Sequence, residues 1–216
     1  NADVVTYRDG TEIPQVTDAT DWANLTIGAW CYQNNDSNKE KMYNWYALKG
    51  IHDDDPNTPN KDFAPTGWHV PTDAEWTELE NHLIANGYNY DGTTSGNKIA
   101  KAMASQTGWN SSNSYGSPGN NPSLNNSSGF NARPFGGRWD FGSFENDNTI
   151  SIFWSSSEEG SENVWLRDLN IEYTNPSELI RTNGNKRSGL FVRFVRDATN
   201  DTEPPVFTLL GANPIT

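Results

Sequence analysis

A chain of 216 residues with only 33% hydrophobic residues has little aliphatic material for a core, yet its nine Trp, eight Tyr and nine Phe supply large apolar area per residue. The aromatic content outweighs the low hydrophobic fraction and leads us to expect one substantial, folded, aromatic-cored, loop-rich domain with room for a short appendage. With 28 acidic residues against 15 basic ones, the formal charge of −13 argues against nucleic acid and anionic membrane as partners, and it suits cations and neutral ligands.

No run approaches the roughly 18 apolar residues of a membrane span, and no signal peptide is visible. The chain begins at Asn1 without a methionine and is expected to be an excised fragment or a processed product. The single cysteine, Cys31, excludes an intrachain disulfide and paired-thiol chemistry. Its place between Trp30 and Tyr32 reads as a buried, inert thiol.

Residues 6–26 carry turn signals at Asp9-Gly10 and Pro14 beside the β-prone run Val4-Val5-Thr6-Tyr7, which predicts an opening strand pair. Residues 42–48 (MYNWYAL) fit either a strand or a helical turn. Residues 52–63 form an acidic, proline-broken loop. In Pro71-Thr72-Asp73-Ala74-Glu75, Thr72 is placed to cap a helix and Glu75 to reach back to the cap amide. Trp76, Leu79, Leu83 and Ile84 give that helix one apolar face, and Gly87 is placed to end it. Asn97 is expected to cap a second helix carrying Ile99, Ala100 and Met103 and stopping near Gly108.

From 105 to 131 the chain is dominated by Ser, Asn and Gly, which predicts a long irregular loop. Strand signals return at 150–154, 163–167 and 189–196 and predict an antiparallel sheet core. Asn183-Gly184 within 182–185 predicts a tight hairpin turn. Residues 198–205 read as a linker ending in Pro204-Pro205, and 206–216 resemble the opening of an immunoglobulin-like module of bacterial surface proteins.

Taken together, GAWCYQNND from Gly28, YNWYA from Tyr43, APTGWHVPTDAEWTELE from Ala64, SGFNARPFGGR from Ser128, FWSSSE from Phe153, VWLRDL from Val164 and GLFVRFVRD from Gly189 resemble the Fibrobacter succinogenes major paralogous domain. The match spans roughly Asp3 to Asp197, within an expected domain of residues 1–197. That family sits within the C-type-lectin-like and sulfatase-modifying-factor fold group and occurs on exported proteins of Bacteroidetes-like bacteria. The resemblance implies an α+β, C-type-lectin-like fold, with a small twisted antiparallel sheet, two helices and extensive irregular loops. It also implies an extracellular or cell-surface setting among neighbouring modules of the same polypeptide.

The fold group includes an oxidase that makes formylglycine from cysteine, but a lone Cys31 does not meet that chemistry, and no G-x-S-x-G, H-E-x-x-H or P-loop pattern occurs. His52, His69 and His82 are scattered and read as structural or surface residues. Asp53, Asp54, Asp55, Asn57, Asn60 and Asp62 are dense in oxygen ligands, yet Pro56 and Pro59 and the missing glutamate break the EF-hand spacing. Asp197, Asn200, Asp201 and Glu203 resemble the calcium-rigidified junctions of adhesion repeats, which makes calcium the candidate cofactor. Asn-x-Ser/Thr sequons such as those at Asn24, Asn110, Asn125 and Asn126 are read as chance in an Asn- and Ser-rich chain.

In the fold group, irregular loops form the variable binding face. Carried onto this chain, those loops are 155–163 and 180–187, flanked by Trp154 and Trp165, with Ser155, Ser157, Glu159, Asn163, Arg181, Asn183, Asn185 and Lys186 as candidate ligand-binding residues. Arg138 and Trp139 are conjectured to extend the same face. The competing reading leaves both tryptophans in the core and the loops merely exposed. The expected function is a non-enzymatic ligand-binding module of a secreted or cell-surface adhesin, holding a carbohydrate or a surface protein. The alternatives are a structural spacer module and a degenerate relative of the formylglycine-generating oxidases.

Overall fold

A computed structural model describes residues 1–198. The expected linker beyond Ala198 and the whole expected immunoglobulin-like opening at 206–216 lie outside the described residues. Among the described residues the helices are α1 (Ala19–Ala23), α2 (Trp45–Lys49), α3 (Asp73–Ala85) and α4 (Ala100–Met103). The strands are β1 (Trp30–Tyr32), β2 (Lys41–Tyr43), β3 (Trp68–His69), β4 (Phe135–Arg138), β5 (Phe144–Asp147), β6 (Ile150–Glu158), β7 (Asn163–Asn170), β8 (Ile180–Asn185) and β9 (Val195–Arg196). The architecture is α+β: a five-stranded sheet in the order β5-β4-β6-β7-β8 and two small ribbons, β1–β2 and β3–β9. The large sheet is antiparallel apart from the β4–β6 contact, which is parallel at Gly136 and Ser151.

Local chemistry explains the helix that the sequence marks best. At the start of α3 the Thr72 hydroxyl accepts from the Glu75 amide, while the Glu75 carboxylate accepts from the Thr72 amide at 2.8 Å. At its end the Tyr88 amide reaches the Leu83 carbonyl and the Gly87 amide the Ile84 carbonyl, both at 3.1 Å, with Gly87 at a φ of +79°. Such a double bond pair around a left-handed residue terminates a helix, and glycine enters that region without strain. The ambiguous 42–48 run is both things at once, β2 and then α2, because the Asn44 side chain caps α2 by accepting from the Ala47 amide.

Four expectations are corrected. The opening strand pair reduces to a single bridge between Thr6 and Glu12, and the Asp18 carboxylate instead caps α1 through the Thr20 and Asp21 amides. Asn97 does not cap α4, which ends at Met103; its side chain ties the chain at Leu179 to Glu80 of α3. Asn183-Gly184 lies inside β8, opposite Trp165 and Val164, and makes no turn. A Cβ at Gly184 would come within 2.8 Å of Leu166, so the glycine serves inter-residue packing there. Residues 189–192 are no ladder strand but a buried thread that bridges singly to Arg138, Tyr43 and Phe153 before β9 pairs with β3.

That thread and β6 alternate between two apolar clusters. Ile152, Trp154, Leu190 and Val192 face one cluster with Tyr43 and Trp45, whereas Phe153 and Phe191 face the other with Trp22, Trp76 and Met103. Buried indoles also satisfy stray carbonyls: Trp154 donates to Tyr43 at 2.9 Å, Trp22 to Arg187 at 2.8 Å and Trp76 to Trp154 at 3.2 Å. Replacement of the fully buried Trp154 by Ala is expected to cost about 3–5 kcal/mol in urea unfolding. The same change at the half-exposed Trp68 is expected to cost no more than ~1 kcal/mol, and similar costs at the two sites would contradict this placement of the core.

Candidate functional site

The candidate face is assembled around the N-terminus of α3. Arg167 on β7 is fully buried; its Nη1 donates to Asp73 Oδ1 at 2.7 Å and its Nη2 to Thr77 Oγ1 at 2.9 Å. Glu80, one turn further along α3, lies with a carboxylate oxygen 3.9 Å from Arg167 Nε. Arg181 on β8 grips the same Asp73 through Nε and Nη2 at 2.9 to 3.1 Å. Burial works to raise the Asp73 pKa, but the hydrogen bonds and charges of Arg181 and Arg167 outweigh it and hold the carboxyl below the usual range. Burial dominates at Glu80 and lifts its carboxyl above the usual range against the pull of Arg167.

Across β7 and β8 the directly opposed pairs are Asn163 with Asn185, Trp165 with Asn183, and Arg167 with Arg181. Because opposed and alternate residues share a side, these six form one face of the sheet. Helix α3 covers its Arg167 end. The rest is uncovered: Arg181 and Asn183 are exposed, and Asn163, Trp165 and Asn185 are partly so. The Arg181 guanidinium lies 3.4 Å from the Trp165 ring centroid. Glu159 is exposed in the β6–β7 turn, which the Glu159 amide closes on the Asn163 carbonyl at 3.0 Å.

The expected binding loops are therefore mostly strand, and three expected ligand residues point into the structure. Ser155 is fully buried and donates to the Trp165 carbonyl at 2.6 Å. The Ser157 hydroxyl accepts from the Asp73 amide at 3.0 Å, serving the first turn of α3. Lys186 is buried, lies over the Trp45 ring and donates to Glu158 and to the Ser161 carbonyl at 2.6 and 2.7 Å. Of the flanking tryptophans, Trp154 is core and Trp165 is not. Arg138 is fully buried and does not extend the face.

Among the described residues no group of three or more His, Cys, Asp or Glu side chains is arranged to hold a metal ion. Asp197 pairs with His69 Nδ1 at 2.7 Å, while Asn200, Asp201 and Glu203 lie outside the described residues. In the acidic loop, Asp53 and Asp55 accept from the amides two residues on, Asp54 bonds Thr26, and Asp62 pairs with Arg8 at 2.9 Å. Cys31 is buried, and burial pushes its thiol up to about 11 against the nearby Arg138 charge.

The sequence profile of the Fibrobacter succinogenes major domain matches residues 1–196, nearly all of the described chain. The chain belongs to that family. No curated protein and no solved structure matches it. In this Fibrobacter succinogenes major domain the family's profile thus spans both apolar clusters, the α3 joint and the β7–β8 face.

Two features escaped the sequence reading. Tyr90 and Tyr115 stand exposed beside a cleft that the long polar loop forms with the chain after α3; the signal, at Tyr115, was an aromatic residue isolated among Ser, Asn and Gly. Asp168, next to Arg167, is 2% exposed, its Oδ1 has no hydrogen-bond partner, and it lies on the same side of β7 as Val164 and Leu166. Burial pushes its carboxyl up to about 7. The unfolded chain releases that proton near pH 4, so between pH 4 and 7 the folded state holds more protons and this group's contribution to stability falls as pH rises. Asp168→Asn is therefore expected to be more stable than wild type at pH 8, by on the order of 2–4 kcal/mol, with the advantage fading towards pH 4. Urea unfolding of both proteins across that range checks it, and a difference that does not change with pH would contradict it.

Proposed function

We propose that this domain is a non-enzymatic ligand-binding module of an exported, surface-attached bacterial protein, on a C-type-lectin-like fold, and that its β7–β8 face takes a protein ligand. The observation that carries the reading is the locked pair of Arg181 and Trp165. Asp73 fixes the guanidinium from one side and Trp165 supports it from below, so an uncovered Arg–Trp platform is held rigid before any ligand arrives. Trp and Arg are the residue types that most often anchor protein interfaces. A sugar stacked on Trp165 is disfavoured, because Arg181 already occupies that ring face. Asn163, Asn183, Asn185 and Glu159 surround the pair and supply the polar rim such an interface needs.

The test is a solid-phase screen of the domain against purified extracellular and cell-surface proteins, in calcium and in chelator because calcium at Asp197 and the linker belongs to the same proposal. Wild type is expected to retain at least one protein with about micromolar affinity, and Trp165→Ala to weaken it by roughly 20-fold or more. Failure to retain any protein, or retention indifferent to Trp165→Ala, would overturn the reading in favour of a structural spacer.

A further inference from the structure

We infer that the cleft between Tyr90, Tyr115 and Leu124 is a second binding site, for a neutral saccharide. It is a hollow of about 420 Å³ formed where the loop after α4 folds back on the chain leaving α3. None of the residues of the β7–β8 face lines it, so the inference stands apart from the reading of that face.

Three observations carry it. The first is apolar surface left in water: Tyr115 is 83% exposed, Leu124 66% and Tyr90 44%, beside the polar Asn89, Asn120, Asn121 and Ser127. Aromatic rings set beside amides offer flat faces to sugar C–H groups and hydrogen-bonding partners to sugar hydroxyls. The second is the set of uncommitted polar atoms. Asn120 spends its amide N–H on the Ser112 carbonyl at 3.1 Å and keeps its side-chain oxygen, whereas Asn121 accepts from Ser123 at 2.9 Å and keeps its amide N–H. The cleft thus presents an acceptor and a donor side by side, which a vicinal diol can bridge.

The third is that the cleft's loop is tied down by side-chain hydrogen bonds and, among the described residues that line it, offers a ligand no free charge. Lys101, 7% exposed at the base of the cleft, directs its ammonium at the backbone carbonyls of Ser117, Asn120 and Asn121. Its three N–H groups are thereby spent on holding the loop. Asn125 adds bonds to the Ser105 and Pro118 carbonyls at 2.9 and 3.0 Å. Tyr90 is seated on Gly116, where a Cβ would come within 2.3 Å of its ring. A pre-ordered site loses little conformational entropy on binding. With no cation among the described residues of the cleft free to receive a carboxylate or sulfate, and a chain of net charge −13, acidic sugars are disfavoured.

The experiment is an NMR titration of the ¹⁵N-labelled domain with neutral oligosaccharides of glucose, mannose, galactose and xylose, and with oligouronates as acidic counterparts. At least one neutral series is expected to shift amides in residues 88–90, 101–102 and 115–127. Tyr115→Ala, a change at an exposed side chain that leaves the fold intact, is expected to weaken that binding about tenfold or more, and Trp165→Ala to leave it unchanged. The inference is overturned if no neutral series produces these shifts, if oligouronates bind better, or if binding survives Tyr115→Ala. A protein ligand that is lost with Tyr115→Ala, with no saccharide bound, would give the cleft to protein recognition instead.

Discussion

The joint between Arg167 and Asp73 is the constraint on which the candidate face depends. A guanidinium with no exposure has lost its hydration, and such a loss is recovered only when charge and hydrogen bonds are returned with good geometry. Here the return comes mainly from α3, through Asp73 and Thr77, with the Leu166 carbonyl adding a bond; the Arg167 Nε has no hydrogen-bond partner among the described residues and meets Glu80 only at 3.9 Å. Because Asp73 is the first residue of α3, the same contact fixes where the helix starts against the sheet. Ser157 and Arg181 then attach to that fixed point, and the Arg181 guanidinium is delivered onto Trp165. Fold and face are thus joined through one carboxylate.

The same device recurs where the chain has no regular structure. Arg138, also fully buried, gives its N–H groups to the carbonyls of Val16, Thr17, Asp18 and Gly142 and stacks on Trp22 at 4.4 Å. Lys101 does this for the loop at 117–121, and Asn44 joins the Ile27 carbonyl to the Ala29 amide. Loop carbonyls that no ladder can satisfy must otherwise stay wet, so buried donors on long side chains let irregular segments pack as core. A chain with few aliphatic residues is held together in this way by aromatic packing and by cations turned inward on backbone oxygens.

What was legible in the sequence follows the range of each interaction. The capping box and Gly87 lie within a turn of the helix they bound, so α3 could be read closely. Asn97 and Asn183-Gly184 carried equally strong local signals, and both were overruled by contacts that are distant in sequence: Leu179 and Glu80 for the first, Leu166 and Trp165 for the second. The thread at 189–192 looked like a strand because it alternates between two apolar clusters, and alternation does not report whether a ladder partner is present. At the site, Glu159, Arg181 and Asn183 are exposed, whereas Ser155 and Ser157 turn inward because β6 continues to Glu158, and Lys186, just past β8, is drawn in by Glu158 and the Ser161 carbonyl. The adjacent charges of Arg167 and Asp168, set between Leu166 and Leu169, were the available sign of a buried polar joint.

The most direct test of this account is a double-mutant cycle on Asp73 and Arg167, with Asp73→Ala, Arg167→Met and the double variant unfolded in urea. Asp73→Ala is expected to cost about 3–5 kcal/mol, because it leaves the Arg167 charge buried with only Glu80 near it, whereas Arg167→Met leaves the partly exposed Asp73 still paired with Arg181 and is expected to cost less, about 2–3 kcal/mol; the double variant is expected to cost at least ~1 kcal/mol less than the sum. Costs that add to within about 0.5 kcal/mol would contradict the claim that this joint holds helix, sheet and binding face together.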